Sequence, residues 1–331
     1  MHCELVVPAL FATPIEAPLP ALELLLARGR AARAEAASPE RWLARAFGLG
    51  EAPLPAGALT VLATGGEPGP GFWLRADPVH LRLLRDRMAL IPSAGFVIER
   101  SEAEALVTAL NRHFAGELVL DAVQPDRWCV WARGPAAIAA EPPIALAGED
   151  VDANLPRGAD AARWNALLNE AQMVLHAHPV NEAREERGAP AVNSVWPWGG
   201  GALPRAAAGR WQSVSADDPV ALGLARLAGA RQRPLPADAG AWLERAPEEG
   251  RHLLLLDALR GARALGDAEA LALRLRSLEQ RWFAPFLAAL RSGRVGMVTL
   301  HVPDAGHSSE TIRGDLRRFW RRARPLASYA G

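Results

Sequence analysis

An α/β fold is the architecture this sequence predicts, and three observations carry it. Short apolar runs of buried-strand type occur at residues 4–10, 252–256 and 296–302. Other stretches show helical hydrophobic spacing, most clearly Trp164, Leu167, Leu168, Ala171, Val174 and Leu175. Late in the chain the two kinds alternate, as they do when helices connect the strands of a sheet. The 331 residues are 50% hydrophobic, enough for one large domain or two joined ones with a sizeable core.

In order, residues 4–10 form a first strand that ends near Pro8. Residues 19–32 follow as a helix, because Leu22, Leu25, Leu26 and Gly29 fall at helical spacing. Ser38 caps a second helix with Pro39 at its first position, and Trp42, Leu43, Ala46 and Phe47 make its apolar face. Residues 53–57 break it. Residues 60–90 read as strand-rich, with strands at Val61, 72–74 and 88–91 and a turn over 67–71. Ser101 and Glu104 form a capping box for a helix continued by Leu106, Leu110 and Phe114. Strands at 117–123 and 127–132 flank Gln124-Pro125-Asp126, and 135–149 is rich in Ala and Pro without a pattern. Pro179 stops the helix that carries Trp164; Asn181 then caps a short helix that Gly188 closes. Residues 202–250 are mixed, 268–290 are helical, and a final helix over 309–322 packs through Leu316, Phe319, Trp320 and Ala323.

Charge excludes several partners. The 37 acidic residues balance 37 basic ones, every one an arginine, so long-range electrostatics favour neither nucleic acid nor an anionic membrane. Without lysine there is no Schiff-base amine. Cys3 and Cys129 are too few for a zinc site or a disulfide framework, which suits a reducing compartment. No secretory pattern opens the chain, and the apolar stretch 22–26 is too short to span a bilayer. A cytoplasmic protein is expected.

Four segments carry candidate chemistry. Arg75-Ala76-Asp77-Pro78-Val79-His80 ends an apolar strand, with Arg82, Arg85 and Arg87 following. Such arginines hold a phosphate or carboxylate through forked hydrogen bonds, or else pair with Asp77 and Asp86 to stabilise a turn. His178, Asn181, Arg184 and Arg187 surround a helix N-terminus, where they bind an anion or simply cap and solvate it. Asn193-Ser194 leads into Trp196-Pro197-Trp198-Gly199-Gly200-Gly201, whose glycines allow close backbone approach; neither a P-loop nor GxGxxG is present, and the tryptophans suit one packed face of a strand. Asp304 and His307 follow the strand ending near Val302, with His301 close by and Asp257 as a helper. These are ligand types for manganese or zinc, though too few for a cage. The arginines at 317, 318, 321, 322 and 324 read as solvated charge. Ser194, Ser308 and Cys129 lack an adjacent base, so no catalytic residue is assigned.

The segment 178–204 resembles the archaeal type of cofactor-independent phosphoglycerate mutase through Pro179, Asn181, Arg184, Arg187-Gly188, Pro190-Ala191, Asn193, Trp196, Trp198-Gly199, Gly201 and Pro204. A longer likeness is to a bacterial family of RpfE-type regulatory proteins. It runs through Trp42-Leu43-Ala44-Arg45-Ala46-Phe47-Gly48, the stretch from Trp73 to Arg82, Asn169-Glu170, Gln172-Met173 and Arg318-Phe319-Trp320-Arg321-Arg322. The mutase resemblance implies an alkaline-phosphatase-like core sheet flanked by helices, over 1–50 and 151–331, with a smaller inserted α+β domain over 51–150. It also implies two divalent metals and a phosphoryl-carrying Ser or Thr. The stretch Val6-Val7-Pro8-Ala9-Leu10, where the mutases carry an Asp-Gly element, has no acid, Ser38 is a weak nucleophile candidate, and Asp304-Ala305-Gly306-His307 is a lone echo of the metal loops.

The expectation is therefore a non-catalytic mutase-like protein without a cofactor, and with a regulatory role. Its cleft, lined by Asn181, Arg184, Asn193 and Trp198 and facing Arg75 and His80, takes a small phosphorylated or carboxylate ligand. One alternative is a phosphatase or mutase dependent on manganese or zinc at Asp304 and His307. The other is a protein-interaction module built on the Trp- and Arg-rich surfaces.

Overall fold

Both faces of β1 (His2–Val6) are buried: Cys3 and Leu5 lie on one side, Glu4 and Val6 on the other, none more than 1% exposed. A strand with no solvent face belongs inside a sheet covered by helices, and β1 takes that place. The computed structural model describes residues 1–11, 18–69, 71–134, 136–246 and 249–329. It divides into two compact units, Met1–Glu51 with Ala206–Gly331, and Ala52–Arg205.

After β1 the first unit continues with α1 (Pro20–Arg28), β2 (Arg30–Arg33) and α2 (Pro39–Ala46). The second unit holds α3 (Ala56–Ala63), β3 (Phe72–Leu83), β4 (Met88–Pro92), α4 (Arg100–Phe114), β5 (Leu118–Gln124), β6 (Arg127–Ala132), α5 (Val151–Asn154), α6 (Ala161–His176), α7 (Pro179–Glu186) and β7 (Ser194–Gly201). The chain then completes the first unit with β8 (Ser213–Ser215), α8 (Pro219–Leu227), β9 (Arg231–Arg233), α9 (Ala239–Arg245), β10 (Arg251–Leu255), α10 (Ala258–Ala264), α11 (Ala268–Leu278), α12 (Ala284–Ser292), β11 (Met297–Val302) and β12 (His307–Ile312).

Among the described residues the first unit is built on a seven-stranded sheet in the order β2-β12-β11-β1-β10-β8-β9. The strands from β11 to β9 are parallel, while β12 and β2 add on antiparallel. Val6 lies opposite both Leu255 and His301, so the parallel strands finish level with one another. One face packs on α1, α11 and α12 through Leu5, Leu22, Leu25, Leu275, Phe283, Phe286 and Leu290. Between α11 and α12 the helix widens to a π turn over Glu279–Phe283, ahead of Pro285, which lacks the N–H an α-helix needs. The turn aims Glu279 at the start of α1, where its carboxylate accepts from the Ala21 and Leu22 amides at 2.6 and 3.1 Å. The residue before helix α1, Leu19, makes no side-chain cap, and this remote carboxylate supplies one.

Among its described residues the second unit has a five-stranded antiparallel sheet, β4-β3-β6-β5 with β7 also on β3. Helices α4 and α6 cover it through Leu106, Leu110, Trp164, Leu168 and Leu175. On α3, Gly57 lies against the Leu74 backbone, where a Cβ would sit 2.4 Å from the carbonyl carbon. Gly199 adopts φ +57° in β7, and a Cβ there would meet Ala56 at 2.5 Å. The glycine run thus lets β7 approach α3, a packing use of its small size.

Several local expectations change. The boundary expected at 150 falls at 205, because β7 hydrogen-bonds β3 and α6 packs on the same sheet. Thr60 and Val61 lie in α3, not a strand; six successive residues of that short helix are buried, so it shows no polar face to betray its period. The box that starts α4 is Glu99 with Glu102, two residues before the expected pair. Helix α1 stops at Arg28 and the chain turns at Gly29 into β2. The expected final helix is replaced by β12 and short 3₁₀ turns, and Phe319 and Trp320 stand exposed. His178 rather than Asn181 caps α7, its ring accepting from the Val180 amide. Pro70 in the expected turn and Pro135 lie outside the described residues. Among the described residues no helix is long and apolar enough to cross a membrane.

Glu4 is the buried charge at the centre of the first unit. Arg251 on β10 donates to it at 2.7 Å, Arg210 at 3.2 Å, and the His301 ring on β11 lies 3.2 Å away. Burial alone raises its pKa, but the bonds from His301 and Arg251 and the charge of Arg210 outweigh that and bring it from 4.5 to about 2. A carboxylate with a depressed folded pKa stabilises the fold above its unfolded value, and this is lost as pH falls through the folded one. Urea midpoints measured against pH should therefore decline between 4.5 and about 2. In Glu4→Gln that decline should shrink, with a stability loss at neutral pH of at most ~3 kcal/mol.

Candidate functional site

Parallel strands that finish level present their following residues along one edge, the usual place for ligands in α/β sheets. In the first unit acids follow three of them: Asp217-Asp218 after β8, Asp257 after β10 and Asp304 after β11. Asp218 caps α8, its Oδ1 accepting from the Ala221 amide at 2.9 Å. Asp217 accepts from Leu235 N at 3.3 Å. Glu40, in the first turn of α2, is paired with Arg260 of α10 at 2.5 Å, both side chains less than one-fifth exposed. Burial lowers the Arg260 pKa, but the charges of Glu40, Asp257 and Asp218 reverse this and hold it above the ordinary value. One guanidinium, ion-paired with Glu40, is therefore also favoured by the charges of Asp257 and Asp218.

Asp304 does something different. Its Oδ1 accepts from the Ala9 amide at 2.9 Å, and Ala9 sits at φ +63°, a left-handed conformation that is costly for a residue with a Cβ. The carboxylate pins the turn that leaves β1. His307 opens β12 with its ring edge-on to Phe11, centroids 5.2 Å apart, and among the described residues neither buried ring nitrogen has a hydrogen-bond partner. Burial, and then the charge of Arg33, lower its pKa, so the imidazole is neutral. His301 turns to Glu4 and packs at a tilt against Trp42, ring centroids 5.0 Å apart. Among the described residues no three His, Cys, Asp or Glu side chains converge as metal ligands would.

The six residues expected to line a cleft all lie in the second unit. Arg75 and Asp77 share one face of β3, and both are at most 5% exposed. Arg75 donates to Asp77 through Nε at 3.0 Å and through a terminal nitrogen at 2.5 Å. The Trp198 indole N–H donates to the other Asp77 oxygen at 2.7 Å, and the guanidinium carbon lies 5.5 Å from the Trp198 ring centroid. Burial raises the Asp77 pKa, against the opposing charge of Arg75 and the Trp198 bond. The pairing of Arg75 with Asp77, weighed from sequence as the alternative to ligand contact, is the one the structure holds.

Arg184 is fully buried, its three nitrogens donating to Pro190 O at 2.8 Å, Glu102 at 2.5 Å and Val97 O at 2.9 Å. Asn181 bridges the Leu175 and Val192 carbonyls and accepts from Val192 N. Asn193 pairs with both backbone groups of Leu81, and the His80 ring meets Ala191 O at 2.9 Å. Together they tie segment 178–193 to α4 and β3.

Sequence reading missed Glu40, Arg260, Asp217 and Asp218. The Asp218-Pro219 cap signal was there to be read, but β8 has three residues and gives little periodicity to mark it as a strand. The Glu40–Arg260 pair spans 220 residues and leaves no local signature.

An α/β protein with a helix-flanked sheet and acids at its carboxyl edge is thus defined. No protein-family model matches the chain. Over 144 residues it is 34% identical to the 2,3-bisphosphoglycerate-independent phosphoglycerate mutase of Methanosarcina mazei, covering 41% of this chain and 36% of that protein. Over 78 residues it is 38% identical to a probable mutase of the same kind from Geobacter sulfurreducens, covering 24% of this chain and 20% of that one. The matches therefore span only a fifth to about a third of these relatives. The PH0037 protein from Pyrococcus horikoshii shares the fold, with a TM-score of 0.57 at 16% identity over 93% of this chain and 84% of that one.

Removing the Asp77 carboxylate leaves the Arg75 charge buried. Asp77→Ala should cost ~3–5 kcal/mol, read as a lowered urea midpoint of the whole chain. Arg85→Ala, on the exposed turn after β3, should change the midpoint little.

Proposed function

We propose that this chain is a phosphoglycerate-mutase-like protein that works by binding rather than by phosphoryl transfer, in a regulatory role of the kind the RpfE resemblance implies. The single observation that supports it is the engagement of the strand-edge acids. Two-metal transfer needs several anionic ligands free to neutralise divalent cations. Here Glu40 is ion-paired with a guanidinium already in place, whose charge Asp257 and Asp218 also favour, and Asp304 holds the Ala9 amide. A divalent ion there would have to compete with Arg260 for the same carboxylates and approach a like charge. The donors present do not fit a pair of manganese or zinc ions, and no step is derived through one. A small phosphorylated or carboxylate ligand reaching Arg75 or Arg184 would have to displace Asp77 or Glu102. That favours a partner bound on the surface.

The second reading is a metal-dependent mutase or phosphatase, favoured by the aspartates that follow β8, β10 and β11. Manganese or zinc loading followed by elemental analysis, with mutase and phosphatase assays, separates the two. Loss of the metal on desalting with no turnover supports binding alone; a stoichiometric, chelator-removable ion with turnover overturns it.

The same site gives a sharper expectation. Arg260→Ala leaves the carboxylates without their cation and should cost ~3–5 kcal/mol. Millimolar manganese should then raise the melting temperature of the variant by roughly 2–4 °C more than that of the parent.

A further inference from the structure

The free edge of the first unit's sheet carries features that fold stability does not require. β2 is the terminal strand, paired only with β12 among the described residues, and Arg30, Ala31, Ala32 and Arg33 are all exposed. The Ala34 amide donates to Gly306 O, which sets the phase of the ladder: Ala32 bonds toward β12, and Ala31 turns its N–H and C=O to the open edge. Beside that edge runs an open groove of about 810 Å³ lined by Gly29, Arg30, Ala31, Trp320, Arg322 and Arg324. Arg321 crosses its floor, donating to Gly29 O at 2.9 Å, and so anchors the aromatic segment to the strand.

Two aromatic rings stand out of the surface here. Phe319 is 77% and Trp320 67% exposed, packed edge to face on each other at 5.3 Å. Six arginines occur from 313 to 324 with Asp315 as the one acid among them, in a chain of zero net charge. Asp315 is buried, bound to Arg318 at 2.8 Å and 3.7 Å from Arg30, so it offsets those two arginines and leaves the charge of Arg322 and Arg324 to dominate the groove. Arginines on an edge strand by themselves serve to block edge-to-edge association. That purpose does not account for a solvent-exposed Trp–Phe pair beside them, since paired exposed aromatics flanked by arginine are what binding surfaces display.

We propose that the β2 edge and the Phe319–Trp320 pair form a docking groove for an acidic, extended segment of a partner protein, which adds as a strand alongside β2. The outward backbone groups of Ala31 pair with the incoming strand. Its carboxylates meet Arg322 and Arg324, and an apolar side chain lies on Trp320. Charge complementarity selects the acidic segment; the unpaired backbone edge selects a polypeptide over a nucleic acid, which has no strand to add. The inference extends the binding reading above by naming the partner, and it stands whether or not the chain also transfers phosphoryl groups.

The test uses the full chain and a fluorescein-labelled peptide of alternating glutamate and valine, followed by fluorescence anisotropy. Binding is expected, weakened about tenfold by Trp320→Ala and by Arg322→Glu. Both positions are exposed, and unchanged circular dichroism checks that the fold is kept. Methylating alternate peptide nitrogens should abolish binding, because it removes the donors a strand needs. No binding of the parent peptide overturns the proposal. So does equal binding of the methylated peptide or of a lysine-for-glutamate version, or stronger binding of oligothymidylate. Metal loading and turnover are read separately, so this proposal and the reading it extends fail on different measurements.

Discussion

Parallel pairing of β1 with β10 and β11 is the constraint from which the rest of the first unit follows. Because Val6 stands level with Leu255 and His301, the loops after these strands open side by side. Residues far apart in sequence, Asp218, Asp257 and Asp304, thereby reach one edge. Such an edge concentrates negative charge, and a folded chain must neutralise it. Here neutralisation comes from within, through Arg260 for one group and the Ala9 amide for another. The same register places Glu4 between Arg251 and His301, so the central strand carries an ionised group that its neighbours hold in place.

Arginine replaces every other cation in this protein, and its geometry sets how buried charge is handled. Arg75 with Asp77, Arg184 with Glu102 and Arg260 with Glu40 repeat one device: a guanidinium enclosed by the fold and clamped by a carboxylate. The planar fork bonds several acceptors at once, as Arg184 does with a carboxylate and two carbonyls, where an ammonium would offer a point charge. Breaking such a pair costs more than the pair contributes, because the remaining charge stays buried. These arginines are therefore poor candidates for reversible ligand contact.

How much of this was legible depended on the range of the interaction. β1, β10 and β11 were legible because burial on both faces makes continuous apolar runs, and α4 and α6 because one-sided burial makes a helical period. The Ser38 cap was legible from a local bond to the Arg41 amide. Asn181, Arg184 and Asn193 stood out in the sequence as polar residues of a Pro-, Trp- and Gly-rich segment, but a sequence cannot say whether a polar side chain faces a ligand or its own backbone. β12 was read as helix because Leu316, Phe319 and Trp320 fall at helical spacing. The segment 307–312 instead alternates, with Ser309 and Thr311 buried, and its pairing with β11 decided the matter. The division at 205 was hidden for a similar reason, since β7 joins β3 more than 110 residues before it.

Local sequence likeness and shared fold reach different distances along this chain. Identity above 30% to the mutases extends over stretches of 63 to 144 residues, while the fold is shared with PH0037 over 93% of the chain at 16% identity. Such a pattern is expected when the constraints on a scaffold and on its chemistry differ. A scaffold needs only apolar residues of suitable volume at positions such as Leu5, Leu254 and Phe283, and many substitutions satisfy that. Metal chemistry needs particular atoms at particular places. Redirecting one carboxylate to an amide or a guanidinium leaves the sheet intact, because the edge loops carry little of the core. The residues at the strand edge can therefore vary without loss of fold, and those on an outer strand such as β2 can vary independently of them.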